Sequence, residues 1–141
     1  MTEAYDDTNV FARILRGEIP AHKVYEDDHT LAIMDIMPAA DGHVLVIPKT
    51  PCRNILDCPD EVLQSIILVT AKLARATQKA FIADGITVAQ YSEKAGGQEV
   101  FHLHFHVIPR QMGEHLRPLP RPFADHALLA RHGAMIRQAM E

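Results

Sequence analysis

Between Phe101 and Pro109 the chain alternates polar and apolar side chains with a period of two: His102, Leu103, His104, Phe105, His106, Val107. A helix cannot sustain that period, because its side chains recur every ~3.6 residues whereas those of a strand alternate. Val100 to Ile108 is therefore predicted as a strand ended by Pro109. It carries three histidines on one face and Leu103, Phe105 and Val107 on the other. The apolar face needs a cover, so the strand belongs to a sheet packed against helix.

The remaining elements follow from the same two periodicities. Thr8 or Asn9 caps a short helix with the stripe Val10, Phe11, Ile14 and Leu15, which Gly17 and Pro20 terminate. Lys23 to Glu26 and Thr30 to Met34 read as strands joined by Asp27-Asp28-His29. Pro38 to Gly42 is a loop, and His43 to Pro48 a buried strand. A long helix is predicted from Asp60 to Asp84, opened by Asp57 or Pro59 and closed by Gly85. Its stripe is Leu63, Ile66, Ile67, Thr70, Leu73, Ala74, Thr77, Ala80 and Phe81, and Val62 and Val69 add apolar surface on a second side. Ile86 to Tyr91 is a further strand, and Lys94 to Gln98 a loop. Arg117 to Pro122, with three prolines, should run extended. From Asp125 a last helix carries Leu128, Leu129, His132, Met135, Ile136 and Met140 on one side. Strands grouped apart from helices imply α+β, with an antiparallel sheet of about five strands.

At 141 residues the chain has the size of one domain, 1–141, with a core over about 10–110 and a C-terminal tail, 111–141, that holds the last helix. A net charge of −4 argues against nucleic acid as a partner. Apolar stretches fall short of the ~20 residues a bilayer span needs. The start, MTEAYDDTNV, lacks the basic and apolar regions of a secretory signal, and Cys52 and Cys58 make no disulfide framework. No membrane association and a cytoplasmic location are the expectations. What remains unusual is histidine, at nine copies with three inside five residues.

A row of imidazoles on one strand face admits two chemical readings. A pair two residues apart can grip one metal ion, with a further ligand from His43 or Glu99. Alternatively one ring is a nucleophile, its second nitrogen held by a hydrogen bond that fixes the tautomer. The flanking rings then serve phosphate oxygens and a departing group.

His102-Leu-His-Phe-His-Val-Ile108 resembles the signature of the histidine triad (HIT) family, and the resemblance extends to Gly97-Gln98-Glu99-Val100 before it and Pro109-Arg110 after it. Further similar blocks lie upstream, at Ile14 to Pro20, Tyr25 to Asp27, Leu31 to Pro38 and Gly42 to Lys49. The resemblance implies a HIT-like α+β fold: a five-stranded antiparallel sheet, a long helix, a short N-terminal helix and a C-terminal tail helix. It also implies nucleotide chemistry at the α-phosphate. His104 would be the nucleophile, forming a nucleotidyl-histidine that water hydrolyses. His102 and His106 would flank it as phosphate and proton groups, and His43 would be a fourth histidine directed at the triad. Asp35 would accept from ribose hydroxyls, Phe11, Ile14, Ile19, Ile33 and Met34 would wall the base, and Gln98 and Glu99 would sit at the phosphate. No cofactor and no metal are implied. A homodimer through the long helix and the strand after it is.

Within the family, the complete third histidine favours hydrolysis over transfer. The chain's size resembles the purine nucleoside phosphoramidase branch, cleaving a P–N bond. Dinucleoside polyphosphate hydrolysis is the alternative within enzymes, and a nucleotide-binding or sensing protein with negligible turnover is the alternative outside them. Departures from the family pattern are Tyr91 where many members carry Asn, Glu93 where they carry Gly, and Glu99 where some carry Ser. The paired cysteines of zinc-binding relatives are absent.

Overall fold

Strands β1 (Lys23–Glu26), β2 (Thr30–Met34), β3 (Val44–Pro48), β4 (Gly85–Ala89) and β5 (Phe105–Arg110) pair antiparallel in the spatial order β1-β2-β3-β5-β4. Helices α1 (Val10–Leu15), α2 (Asp60–Phe81) and α3 (His126–Ala139) complete the α+β arrangement, with one 3-10 turn at Lys94–Gly96. The computed structural model describes residues 4–141; residues 1–3, where the acidic start of the chain begins, lie outside them. Among the described residues no helix is long and apolar enough to cross a membrane.

Register decides what each face of the sheet carries. Leu31 pairs with Ile47, Ile33 with Leu45, and Leu45 with His106, so these five side chains share one face. Ala32, Met34, Val44, Val46, Phe105 and Val107 point the other way, onto Ile66 and Leu73 of α2 and Leu129 and Ile136 of α3. That layer is the main core, each large side chain contributing about 1.5–3 kcal/mol on burial. The opposite face is covered only in part, by Phe11, Ile14 and Leu15 of α1. One side of the sheet is thus sealed and the other left open beside α1.

Several boundaries differ from expectation, each for a local reason. The histidine strand does not begin at Val100: the β3–β5 ladder starts at Phe105, opposite Val46. Pro48 has no N–H to offer the next rung, and Leu103 instead donates to the Cys52 carbonyl at 2.8 Å. His102 and His104 therefore lie outside the regular alternation. Helix α2 ends at Phe81, three residues before Asp84, with Ile82 rather than Gly85 in the left-handed region at φ +48°. Ala83 N–H closes the turn onto the Gln78 carbonyl at 3.0 Å, as a Schellman ending requires. Gly85 is already paired with Arg110 in the sheet, so β4 runs from Gly85 to Ala89 and not from Ile86 to Tyr91. On α2, Val69 is buried whereas Ile67 and the neighbouring Leu68 face outward.

The segment after β5 does not trail away. Arg117 N–H donates to the Ala39 carbonyl and Ala124 N–H to the Ile36 carbonyl, both at 2.9 Å. Residues 117–124 are thereby strapped along the loop that follows β2.

Candidate active site

His43 enters the site through a turn only glycine tolerates. Gly42 has φ +89°, and a Cβ there would stand 2.6 Å from the Phe81 ring. The turn drives His43 inward to 1% exposure, on the same side of the sheet as Leu45. Its Nδ1 accepts the Ala39 N–H at 2.9 Å, so the ring proton sits on Nε2. Nε2–H then donates to His106 Nδ1 at 2.9 Å, which leaves the proton of His106 on its own Nε2. Asp35 closes the group, with one oxygen 3.5 Å from His43 Nε2 and the other accepting the Met37 N–H at 2.8 Å.

His104 is oriented by main chain. Its Nδ1–H donates to the carbonyl of His102 at 2.7 Å, so the Nε2 lone pair is left free. The ring meets Phe11 edge-on at 4.8 Å and His106 at 4.9 Å between centroids. Burial pulls all four imidazoles below their usual value: His43 to about 3, His102 and His106 to about 4, and His104 in the same direction. All are neutral at pH 7. Burial acts on Asp35 in the opposite sense, raising its carboxyl to about 6.

His104 and His106 line a cavity of about 440 Å³ together with Phe11, Ile14, Ile19, Ile33, Asp35 and Glu99. Four expected members are placed otherwise, among them His43, which bonds to His106 from outside the lining. His102 is 1% exposed and lies outside the lining. Its Nε2–H donates to the Pro48 carbonyl at 2.8 Å, and its Nδ1 accepts the Tyr5 hydroxyl at 2.6 Å. Both ring nitrogens are thus taken by protein atoms, while the His102 carbonyl holds the His104 ring. Gln98 is likewise buried, its amide spent on the Arg53 and Val100 carbonyls, the Glu93 N–H and the Asn54 side chain. Its main-chain N–H goes to the Glu93 carbonyl. It braces a loop and does not face the cavity. Met34 borders the cavity, but its side chain belongs to the core on the helical side.

The sequence did not mark Tyr5, Leu119 or Arg121 as site residues. Tyr5 fastens the N-terminal arm to His102 and receives the Asn9 side-chain amide at 3.0 Å. Leu119 and Arg121, from the strapped C-terminal segment, wall the cavity. No periodicity marks such contacts; the three prolines that stiffen this stretch were the only available signal.

The family departures have local accommodations. Glu93 sits at φ +64°, ψ 164°, backbone space nearly reserved for glycine. Its carboxylate is held by Arg53, at 2.8 and 3.1 Å, and by Asn54. Tyr91 packs edge-on to His106 at 5.4 Å. Cys52 and Cys58 are buried thiols 3.3 Å apart, away from the cavity lining. Among the described residues, Asp35, His43 and His106 each present a ligand atom within 4.8 Å of the others, a donor set of the kind that holds a metal ion.

Similarity to known proteins agrees with this geometry. The HIT domain model matches residues 16–113. "Protein hit" of Bacillus subtilis is 42% identical over 101 residues, 72% of this chain and 70% of that protein. Adenosine 5'-monophosphoramidase HNT1 of Saccharomyces cerevisiae is 38% identical over 106 residues, 75% of this chain and 65% of that enzyme. Among solved structures, a HIT-like protein from Bartonella henselae superposes with a TM-score of 0.91 at 49% identity, covering 96% of this chain and 99% of the other. A zinc-bound histidine triad family protein from Mycobacterium smegmatis gives 0.84 at 38% identity, covering 94% and 93%. The chain belongs to the HIT domain family.

Proposed function

We propose that the protein hydrolyses nucleoside 5'-phosphoramidates at the α-phosphorus, with His104 as the nucleophile. The carrying observation is the Nδ1–H bond from His104 to the His102 carbonyl, which frees Nε2 at the cavity. Nε2 attacks phosphorus and forms a P–N bond. The bond to the departing amine breaks, and the amine keeps the electron pair and takes a proton from water at the Glu99 side of the cavity. The His106 Nε2–H, fixed by the donation from His43, is the donor for a phosphoryl oxygen. The hydroxide left by that proton transfer then cleaves the cationic nucleotidyl-histidine, releasing the nucleotide and restoring the neutral imidazole. Asp35 takes the ribose hydroxyls, and Phe11, Ile14, Ile19 and Ile33 take the base.

The activity named for the yeast relative supports this choice of leaving group. A panel of AMP amides, diadenosine polyphosphates and nucleotide sugars tests it. Steady AMP release fastest from the amides is expected; faster cleavage of the polyphosphates would move the assignment to dinucleoside polyphosphate hydrolysis. Absence of turnover with retained AMP binding would leave a nucleotide sensor. No step needs a metal, so chelation should leave AMP release unchanged.

We also propose a homodimer. The outward Ile67 and Leu68 on α2, together with Val88 on the edge strand β4, form apolar surface that a second copy would cover.

A further inference from the structure

The cavity that presents His104 is poor in positive charge. Its imidazoles are neutral, and two carboxylates, Asp35 and Glu99, line it. A nucleotide phosphate would meet repulsion there unless a cation were supplied. One is: Arg121 is the sole lysine or arginine among the described residues that line the cavity. It comes from the C-terminal segment 117–124, which main-chain bonds to Ala39 and Ile36 fix at both ends. Arg117 secures the same strap by donating to the Pro38 carbonyl at 3.2 Å and to Asp41 at 2.6 Å. The Arg121 Nε–H is spent on the Arg117 carbonyl at 2.9 Å. That bond aims the guanidinium and leaves its two terminal nitrogens without a protein partner among the described residues. Its charge is felt at Asp35, His43 and His106, whose ionisation it shifts downward.

We propose that Arg121 binds the anion at this site alongside the His106 N–H, its guanidinium taking the phosphate of a bound nucleoside monophosphate. The assignment rests on the nucleotide reading above and extends it to a residue outside the triad. A planar guanidinium with both terminal nitrogens left to donate suits a phosphate better than a point charge does.

Calorimetric titration with AMP and with adenosine separates a phosphate contact from a packing contact. Arg121→Gln should weaken AMP binding roughly tenfold or more, the scale of a lost charge-assisted hydrogen bond, while adenosine binds as it does to the wild type. Arg121→Lys should recover part of the loss, since it keeps the charge without the fork. The wild type should lose AMP affinity with added salt more steeply than Arg121→Gln does. Unchanged AMP affinity in Arg121→Gln, or equal losses for AMP and adenosine, would overturn the assignment. If the wild type binds neither ligand, the nucleotide reading itself falls and takes the assignment with it.

Discussion

At the scale of single residues, the site is a set of hydrogen bonds that assign one proton to each ring. Tyr5 belongs to that set without touching the cavity. Tyr5→Phe removes the donor to His102 Nδ1 and leaves a buried acceptor unpaired, a cost of about 1–3 kcal/mol. The loosened His102 carbonyl then holds His104 less firmly. Kinetics should show kcat reduced several-fold with KM little changed; a change confined to KM would contradict the positioning role. Asp35 makes a separate prediction through pH. Its carboxyl titrates at about 6, and only the ionised form accepts fully from ribose hydroxyls. KM should therefore rise as pH falls below about 6, and Asp35→Asn should abolish that limb. An identical limb in the variant would assign it elsewhere. Burial lowers His104 below its ordinary imidazole value.

At the scale of elements, the sequence was most informative where one period ran unbroken. The unbroken apolar runs Leu31 to Met34 and Val44 to Ile47, and the three- and four-residue steps of α2, placed β2, β3 and α2 near their observed positions. It was least informative where chain ends and turns answer to partners far away. Phe105 starts β5 because Pro48 stops donating on the neighbouring strand, a fact invisible within residues 100–108. Ile82 takes the left-handed cap because Gly85 is needed in the ladder. A β-branched residue pays for that conformation by about 1–2 kcal/mol. Ile82→Gly should raise the urea midpoint, by about 1 kcal/mol after the entropy of glycine in the unfolded chain is counted. A lower midpoint would show that the Ile82 side chain contributes contacts outweighing its strain. Gly42→Ala should do the reverse, costing about 2–4 kcal/mol through positive φ and collision with Phe81. A variant as stable as the wild type would mean the turn can be remade.

At the scale of the whole molecule, the four histidines of the site were legible as chemistry from spacing and resemblance. What residues distant in the chain do to them was not. The tail that supplies Leu119 and Arg121, and the arm that supplies Tyr5, are tertiary facts. So is the withdrawal of His102 and Gln98 into the interior. Burying several imidazoles in neutral form also ties stability to pH. Below about 6.5 the unfolded chain takes up protons that His43, His102 and His106 refuse until about 3–4. Stability should therefore be full above pH 7 and decline from about 6.5 towards 4. Asp35 opposes the trend between its unfolded value and about 6, as one group against three. A urea midpoint independent of pH over that window would mean the rings are not buried neutral. Light scattering at micromolar concentration should give the mass of a dimer, and a monomer would remove the role proposed for Ile67, Leu68 and Val88. A covalent nucleotidyl-histidine is seen most directly on the intact protein during turnover. Acid-free quenching within the first turnovers of an AMP amide, followed by mass spectrometry, should find one adenylyl group per chain, mapped to His104. His104→Ala should remain folded, carry no adduct and turn over at least ~10³-fold more slowly. Near-wild-type turnover by that variant would contradict the account.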